Sequence, residues 1–125
     1  MILDTNVLSG YADGLPAAVS AVDAASSVAV PVITLGEYRF GIAFSRRRHD
    51  YEEWLAGFLD VCLVLEITEA TTHWYASLRA ELRRAGTPIP SNDLWIAALS
   101  RQHALPVLSR DVHFDRVSGL RRVRW

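Results

Sequence analysis

Four acidic side chains lie where a predicted strand ends or a predicted helix begins: Asp4, Glu37, Asp93 and Asp111. Each alone has an ordinary explanation, because acids favour turns and the first turns of helices. Four converging carboxylates, however, would repel one another and resist ionising without a counter-charge. Mg²⁺ and Mn²⁺ supply that charge and prefer oxygen ligands. The set therefore indicates a divalent-cation site suited to hydrolysis of a phosphodiester.

The elements that must position these acids alternate between short strands and helices. Short apolar runs predict strands at 1–4, 28–33, 63–67 and 105–109, with a further edge strand at 121–125. Helical patterns cover 6–13, 15–25, 34–45, 49–61, 68–85 and 93–104. This alternation is typical of an α/β fold, a parallel sheet with helices on both faces. Ligands of such sheets bind beyond the carboxyl ends of the strands.

Within that scheme, Asp4 closes the first strand and Asp111 follows the fourth. Glu37 is predicted in the first turn of a helix capped by Thr34, and Asp93 is predicted to open the helix 93–104. The helix 93–104 is apolar almost all round, which predicts a central, buried position that includes Trp95. All four acids are thus expected at one edge of the sheet.

The length and amino-acid composition limit the number of domains and the kinds of protein that this chain could be. A chain of 125 residues, half of them hydrophobic, predicts a single domain over residues 1–125. The one cysteine, together with the lack of a visible signal peptide or membrane-length apolar run, favours a cytoplasmic setting.

All 13 basic residues are arginine. The lack of lysine excludes a P-loop, a Schiff-base enzyme and a lysine-dependent phosphoacceptor receiver domain. An aspartate-nucleophile phosphatase is disfavoured because Asn6 stands where a second aspartate is needed.

The segments ILDTN, TLGEYRFGI, IPSNDLWIAA and LSRDVHFDRV, in this order, resemble the acidic quartet of PIN-domain ribonucleases, most closely the VapC-type toxins. The resemblance implies a three-layer α/β/α sandwich around a mostly parallel sheet of four to five strands. It also implies a Mg²⁺- or Mn²⁺-dependent endoribonuclease. By this resemblance Asp4 and Asp93 would bind the metal directly and Glu37 and Asp111 would complete the site. Asn6 and Ser109 would support it by hydrogen bonding.

As the toxin of a toxin–antitoxin pair, such a protein would inhibit translation and growth by cleaving RNA, with tRNA or rRNA as the expected substrate. A VapB-like antitoxin and homodimerisation are the partners that the resemblance implies. Two alternatives remain open: a PIN nuclease of RNA processing or turnover without an antitoxin, and a non-catalytic interaction module on the same fold. The arginines that could hold substrate phosphates are Arg39, Arg46, Arg47 and Arg48.

Further expectations concern residues near the quartet and in aromatic clusters. Asp115 is expected to be a solvated helix residue, although helical spacing leaves it open as a fifth acid. His113 is expected to pack or to lie at the surface. The aromatic residues of two helices would form either core or a surface for an antitoxin or a second copy: Tyr51, Trp54, Trp74 and Tyr75.

Overall fold

A five-stranded sheet forms the centre of the protein in the computed structural model, which describes all of residues 1–125. Its strands are β1 (Ile2–Leu3), β2 (Ala29–Pro31), β3 (Leu63–Leu65), β4 (Val107–Leu108) and β5 (Arg122–Val123). They lie in the order β3-β2-β1-β4-β5, and every neighbouring pair is parallel. The predicted parallel sheet is therefore confirmed, with β1 at its centre and the predicted edge strand present as β5.

Six helices flank the sheet: α1 (Thr5–Ala12), α2 (Pro16–Asp23), α3 (Val32–Ile42), α4 (Arg48–Leu59), α5 (Glu69–Ala85) and α6 (Ser91–His103). Two hydrophobic clusters form the core on opposite sides of the sheet. One joins buried residues of α5 and α6 to the sheet, and the other joins residues of α1 to α4 to it. This is the three-layer α/β/α arrangement that the sequence predicted. None of the helices is both long enough and apolar enough to cross a membrane.

Helix α3 begins earlier than predicted. Pro31 ends β2 in an extended conformation, and the helix starts at Val32 instead of at a cap provided by Thr34. The Thr34 side chain is fully buried, and its hydroxyl donates to the Leu3 carbonyl at 3.0 Å. A buried hydroxyl needs a partner, and Thr34 finds it in β1. The prediction that Glu37 lies in the first turn was consequently wrong, because it lies in the second.

Helix α6 occupies the central position that its apolar character predicted. Its buried residues are Leu94, Ile96, Ala97, Ala98, Leu99 and Ser100. It begins two residues before Asp93, which lies in the first turn. Trp95 was wrongly assigned to the core, because it is only half-buried and stacks on Tyr75 of α5 with 3.9 Å between ring centroids. A short 3-10 helix, Val112–Arg116, follows β4 and contains Asp115, which the sequence analysis had expected in a helix.

Candidate metal centre

Asp4 is a buried carboxylate at the carboxyl end of the central strand. It caps α1, and its Oδ1 accepts a hydrogen bond from the Thr5 amide at 2.8 Å. Its Oδ2 accepts from Asn6 Nδ2 at 2.7 Å and from Ser109 Oγ at 2.5 Å. The strand end, the helix N-terminus and the end of β4 together fix both oxygens of Asp4. Asn6 and Ser109, to which the resemblance gave a supporting role, both donate to Asp4.

Asn6 is itself oriented by a residue that the sequence analysis had not singled out for the site. Its Oδ1 accepts from the indole Nε1 of Trp125 at 2.9 Å and from the Arg110 amide at 3.2 Å. With two donors at Oδ1, the amide nitrogen must point the other way, towards Asp4 and towards Ser109 Oγ at 3.0 Å. Trp125 is therefore part of the hydrogen-bond network that holds Asp4.

The half-buried Trp125 ring has close contacts with two elements. The Arg110 guanidinium carbon lies 3.5 Å from its ring centroid. On another side, a Cβ placed on Gly10 of α1 would come within 2.8 Å of the Trp125 ring, so only glycine leaves room there. No sequence spacing signals this contact, because Trp125 is 119 residues from Asn6.

Asp111 follows β4 and begins the short 3-10 helix. Its amide donates to Ser109 Oγ at 2.9 Å, and its Oδ1 accepts from the His113 amide at 2.9 Å. Ser109 Oγ thus links the Asp4 carboxylate to the backbone of Asp111. The turn places Asp111 beside the end of β1, as its position after the fourth strand predicted.

His113 does not have the packing or surface role that was expected. Its Nδ1 lies 2.9 Å from Asp111 Oδ1 and 3.2 Å from Asp93 Oδ2. Potential ligand atoms of Asp93, Asp111 and His113 all lie within 4.8 Å of one another. The signal in the sequence was the spacing Asp-x-His after a strand, but it becomes informative only once the short 3-10 helix turns the ring back over Asp111.

Glu37 approaches from α3 on the other side of Asp4. Its Oε1 accepts from the Thr5 hydroxyl at 3.0 Å, while its Oε2 has no hydrogen-bond partner within the protein. An open groove of about 530 Å³ runs beside it, lined by seven residues that include Thr5, Glu37, Phe40 and Asn92. Glu37 therefore presents one free carboxylate oxygen to an accessible groove.

The electrostatics of the cluster would favour a bound cation. The pKa of Asp93 is raised to about 6, mainly by burial and also by the charges of Asp111 and Asp4, against a lowering contribution from His113. Burial also raises the pKa of Asp4; the hydrogen bonds from Ser109 and Thr5 oppose that effect, whereas the charges of Glu37 and Asp111 add to it. No arginine forms an ion pair with any of the four acids.

This donor set fits a divalent cation. Its oxygen ligands are hard, they come from separate elements, and their mutual repulsion is unrelieved by arginine. Asp4, Asp93 and Asp111 would hold the cation most directly, with Glu37 beside them. Asp115 is not a fifth acid of the site, because both of its oxygens accept from Arg122, at 2.7 and 2.6 Å.

The arginines considered for substrate binding lie elsewhere on the molecule. Arg39 pairs with Glu52 at 3.4 Å, which leaves it turned towards α4. Arg46, Arg47 and Arg48 are exposed at the junction of α3 and α4. The exposed arginine next to the acids is Arg110, between Ser109 and Asp111, which the sequence analysis did not single out.

The chain is similar to a known protein family, to individual ribonucleases and to a solved structure. Residues 1–120 match the PIN domain family. The chain is 33% identical to ribonuclease VapC5 of Mycobacterium tuberculosis, over 74% of this chain and 70% of that protein. It is 31% identical to the tRNA(fMet)-specific endonuclease VapC of Shigella flexneri, over 74% and 71% of the two chains. A DNA-bound VapBC structure from Salmonella typhimurium superposes with a TM-score of 0.85 at 26% identity, covering 99% of this chain and 96% of the other.

Proposed function

The chain belongs to the PIN-domain family, among the VapC ribonucleases, and from this premise we propose that it is the endoribonuclease toxin of a toxin–antitoxin pair and depends on Mg²⁺ or Mn²⁺. The observation that carries the proposal is the convergence of Asp4, Asp93 and Asp111 beyond the ends of β1 and β4, with Glu37 joined to them through Thr5. Membership in the family alone would also be compatible with a non-catalytic module. An intact and partly uncompensated acid cluster is what distinguishes a nuclease.

The four acids have two tasks in this proposal. Asp4, Asp93 and Asp111 hold the cation, and Asn6 and Ser109 keep Asp4 in place. A divalent cation bound there would activate water for attack and stabilise the charge that develops on the phosphate. Glu37 is suited to accept a proton from the attacking water at Oε2, because its Oε1 is already engaged by Thr5.

The substrate must be held next to four negative charges, so positive charge is needed close by. Arg110 is adjacent to Asp111 and stacks on Trp125, which holds its guanidinium over the same end of the sheet. We assign it the nearest phosphate contact, with Arg46, Arg47 and Arg48 as more distant candidates. The Shigella relative is named for cleavage of tRNA(fMet), so tRNA is the first RNA to test.

An antitoxin partner is proposed because the similar Salmonella structure is a VapBC complex. The surface that supports this is formed by Phe40, in the last turn of α3, and Phe44, just beyond that helix, which are 76% and 94% exposed. Phe40 also lines the groove beside Glu37, so a protein bound there would obstruct access to the site. Homodimerisation, expected from the resemblance, is part of the same proposal.

The test is cleavage of purified tRNA and total bacterial RNA by the protein with Mg²⁺ or Mn²⁺. Asp4→Asn is the active-site variant, and Asp60→Asn, at an exposed acid that ends α4, is the matched control. Discrete products that disappear with EDTA or in Asp4→Asn, but persist in Asp60→Asn, are the expected result. Cleavage that is insensitive to EDTA would refute the metal dependence, and no cleavage by folded protein would favour the non-catalytic module.

A further inference from the structure

We propose that His113 is a ligand of the cation, so that the site offers one nitrogen among its carboxylate oxygens and prefers Mn²⁺ to Mg²⁺ more strongly than an all-oxygen site would. The inference rests on the proposed function, because it concerns the same centre. It adds a residue outside the acidic quartet and assigns it an effect on the choice of metal.

The position of the His113 ring carries this inference. Nδ1 is the ring nitrogen that faces the acids, 2.9 Å from Asp111 Oδ1 and 3.2 Å from Asp93 Oδ2. Adjacent ligands of a six-coordinate cation with bonds of about 2.1 Å lie roughly 3 Å apart. The two measured distances therefore equal the separation expected of neighbouring ligands on one ion.

The backbone keeps the ring in this place. The His113 amide donates to Asp111 Oδ1, which closes the first turn of the short 3-10 helix. The next residue, Phe114, is fully buried in the core cluster beneath α6. His113 therefore lies between two fixed points, and its ring is held against Asp93 and Asp111 without the need for a large rearrangement.

The chemistry follows from the donor type. With a cation bound, the neutral ring would carry its proton on Nε2 and offer the Nδ1 lone pair to the ion. Imidazole is a better ligand for transition metals than for Mg²⁺, which favours oxygen and retains its waters. Mn²⁺ also binds oxygen, but as a transition metal it accepts a nitrogen ligand more readily than Mg²⁺ does. One nitrogen ligand should thus strengthen Mn²⁺ binding without a comparable gain for Mg²⁺.

The competing role for His113 is that of a hydrogen-bond donor that orients Asp93 and Asp111 without touching the ion. His113→Asn separates the two roles by the loss of a nitrogen ligand. Its amide nitrogen lies close to the position of Nδ1 and can donate to the carboxylates but has no lone pair for a metal. Its amide oxygen, if turned to the ion, would give no nitrogen coupling. His103→Asn, at an exposed histidine in the last turn of α6, is the matched control.

The experiment is pulsed electron paramagnetic resonance of the Mn²⁺-loaded protein, with calorimetric titration of Mn²⁺ and Mg²⁺. The expected result is a nitrogen coupling in the wild type and in His103→Asn, altered by ¹⁵N-histidine labelling and lost in His113→Asn. The Mn²⁺ affinity of His113→Asn should fall about tenfold or more, while its Mg²⁺ affinity changes about twofold or less.

The failures of this inference and of the proposed function are distinguishable. Mn²⁺ that binds with full affinity but shows no nitrogen coupling would overturn the role of His113 and leave the acidic centre intact. A folded wild-type protein that binds no Mn²⁺ would overturn both. Equal losses of Mn²⁺ and Mg²⁺ affinity in His113→Asn, without a wild-type nitrogen coupling, would assign His113 to orientation of the carboxylates.

Discussion

The two halves of the acid cluster are built differently. In the Asp4 half (Asp4, Asn6 and Ser109), the aspartate accepts three hydrogen bonds, and its supports are held in turn by Trp125 and by backbone amides. In the Asp93 half (Asp93, Asp111 and His113), the Asp93 carboxylate has a single hydrogen-bond partner, the His113 ring. The first half is preorganised by the protein itself. The second half is left with uncompensated charge, which a cation would neutralise.

The difference between the halves indicates which aspartate lowers the stability of the metal-free protein. Hydrogen bonds to the charged form let Asp4 remain buried at moderate cost. Asp93 has no such set, so burial and the charges of Asp111 and Asp4 raise its pKa to about 6. Removing each aspartate should therefore have the same effect on activity and opposite effects on the stability of the metal-free protein.

The largest expected effect is the loss of RNA cleavage in Asp4→Asn and Asp93→Asn. Each should lower activity by about 100-fold or more, since even residues that merely support a ligand contribute up to that much. The free energy of unfolding should distinguish the two variants. The amide that replaces Asp4 would face two donors and cost about 1–3 kcal/mol, whereas Asp93→Asn should be more stable than the wild type without metal. Urea denaturation in EDTA, beside the cleavage assay, checks both outcomes.

The second prediction concerns pH. Because the pKa of Asp93 is raised from 3.8 to about 6 on folding, its ionisation disfavours the folded state. The stabilising contribution of its protonated form is present below about pH 4 and is lost as the pH rises through about 6, a change of roughly 3 kcal/mol for a shift of this size.

Its measurement is the difference in free energy of unfolding between Asp93→Asn and the wild type, both in EDTA, from pH 4 to 8. That difference should grow with pH and level off above about pH 7, since Asp93 is then fully ionised in both states. A difference that stays constant across this range would show that Asp93 ionises normally and that its ionisation does not oppose folding.

A smaller effect is expected from Gly10→Ala. The added methyl would lie 2.8 Å from the Trp125 ring and displace it, so we expect a loss of about 2 kcal/mol, as in other overpacked cores. Gly57→Ala is the control, because that helical glycine has nothing within 4 Å of an added Cβ and should be stabilised by up to ~1 kcal/mol. The melting temperatures of both variants test this prediction. Equal changes in melting temperature would refute the close packing around Trp125.

The smallest effect is expected from Trp125→Phe, which keeps most of the ring and removes the donor to Asn6. Loss of that hydrogen bond should cost about 1 kcal/mol of stability. Activity should fall about tenfold, as for other supporting groups, mainly through weaker metal binding. Trp74→Phe, at an exposed indole, should change neither quantity. Metal titration and cleavage rates test this, and unchanged metal affinity would mean that Asn6 keeps its orientation without Trp125.

The sequence alone determined the order of the strands and helices. It also determined that the acids lie at strand ends and near helix starts. Strand runs, helix periodicity and strand-end carboxylates are local features, so the alternating α/β pattern and the common location of Asp4, Glu37, Asp93 and Asp111 could be derived from them. The metal-ligand roles of these acids and the single-domain assignment stay predictions. The register of Glu37 within α3 was missed because the partner of Thr34, the Leu3 carbonyl, lies in another strand.

Only the tertiary structure decided which further residues join the acids. His113 reaches Asp93 across 20 residues, and Trp125 reaches Asn6 across 119, through side-chain contacts that no periodicity encodes. Asp115 was left open by the sequence and is excluded by its pairing with Arg122. The physical reason is the same in each case. A strand pattern specifies where a backbone ends, whereas the hydrogen-bond partner of a side chain depends on which distant element packs beside it.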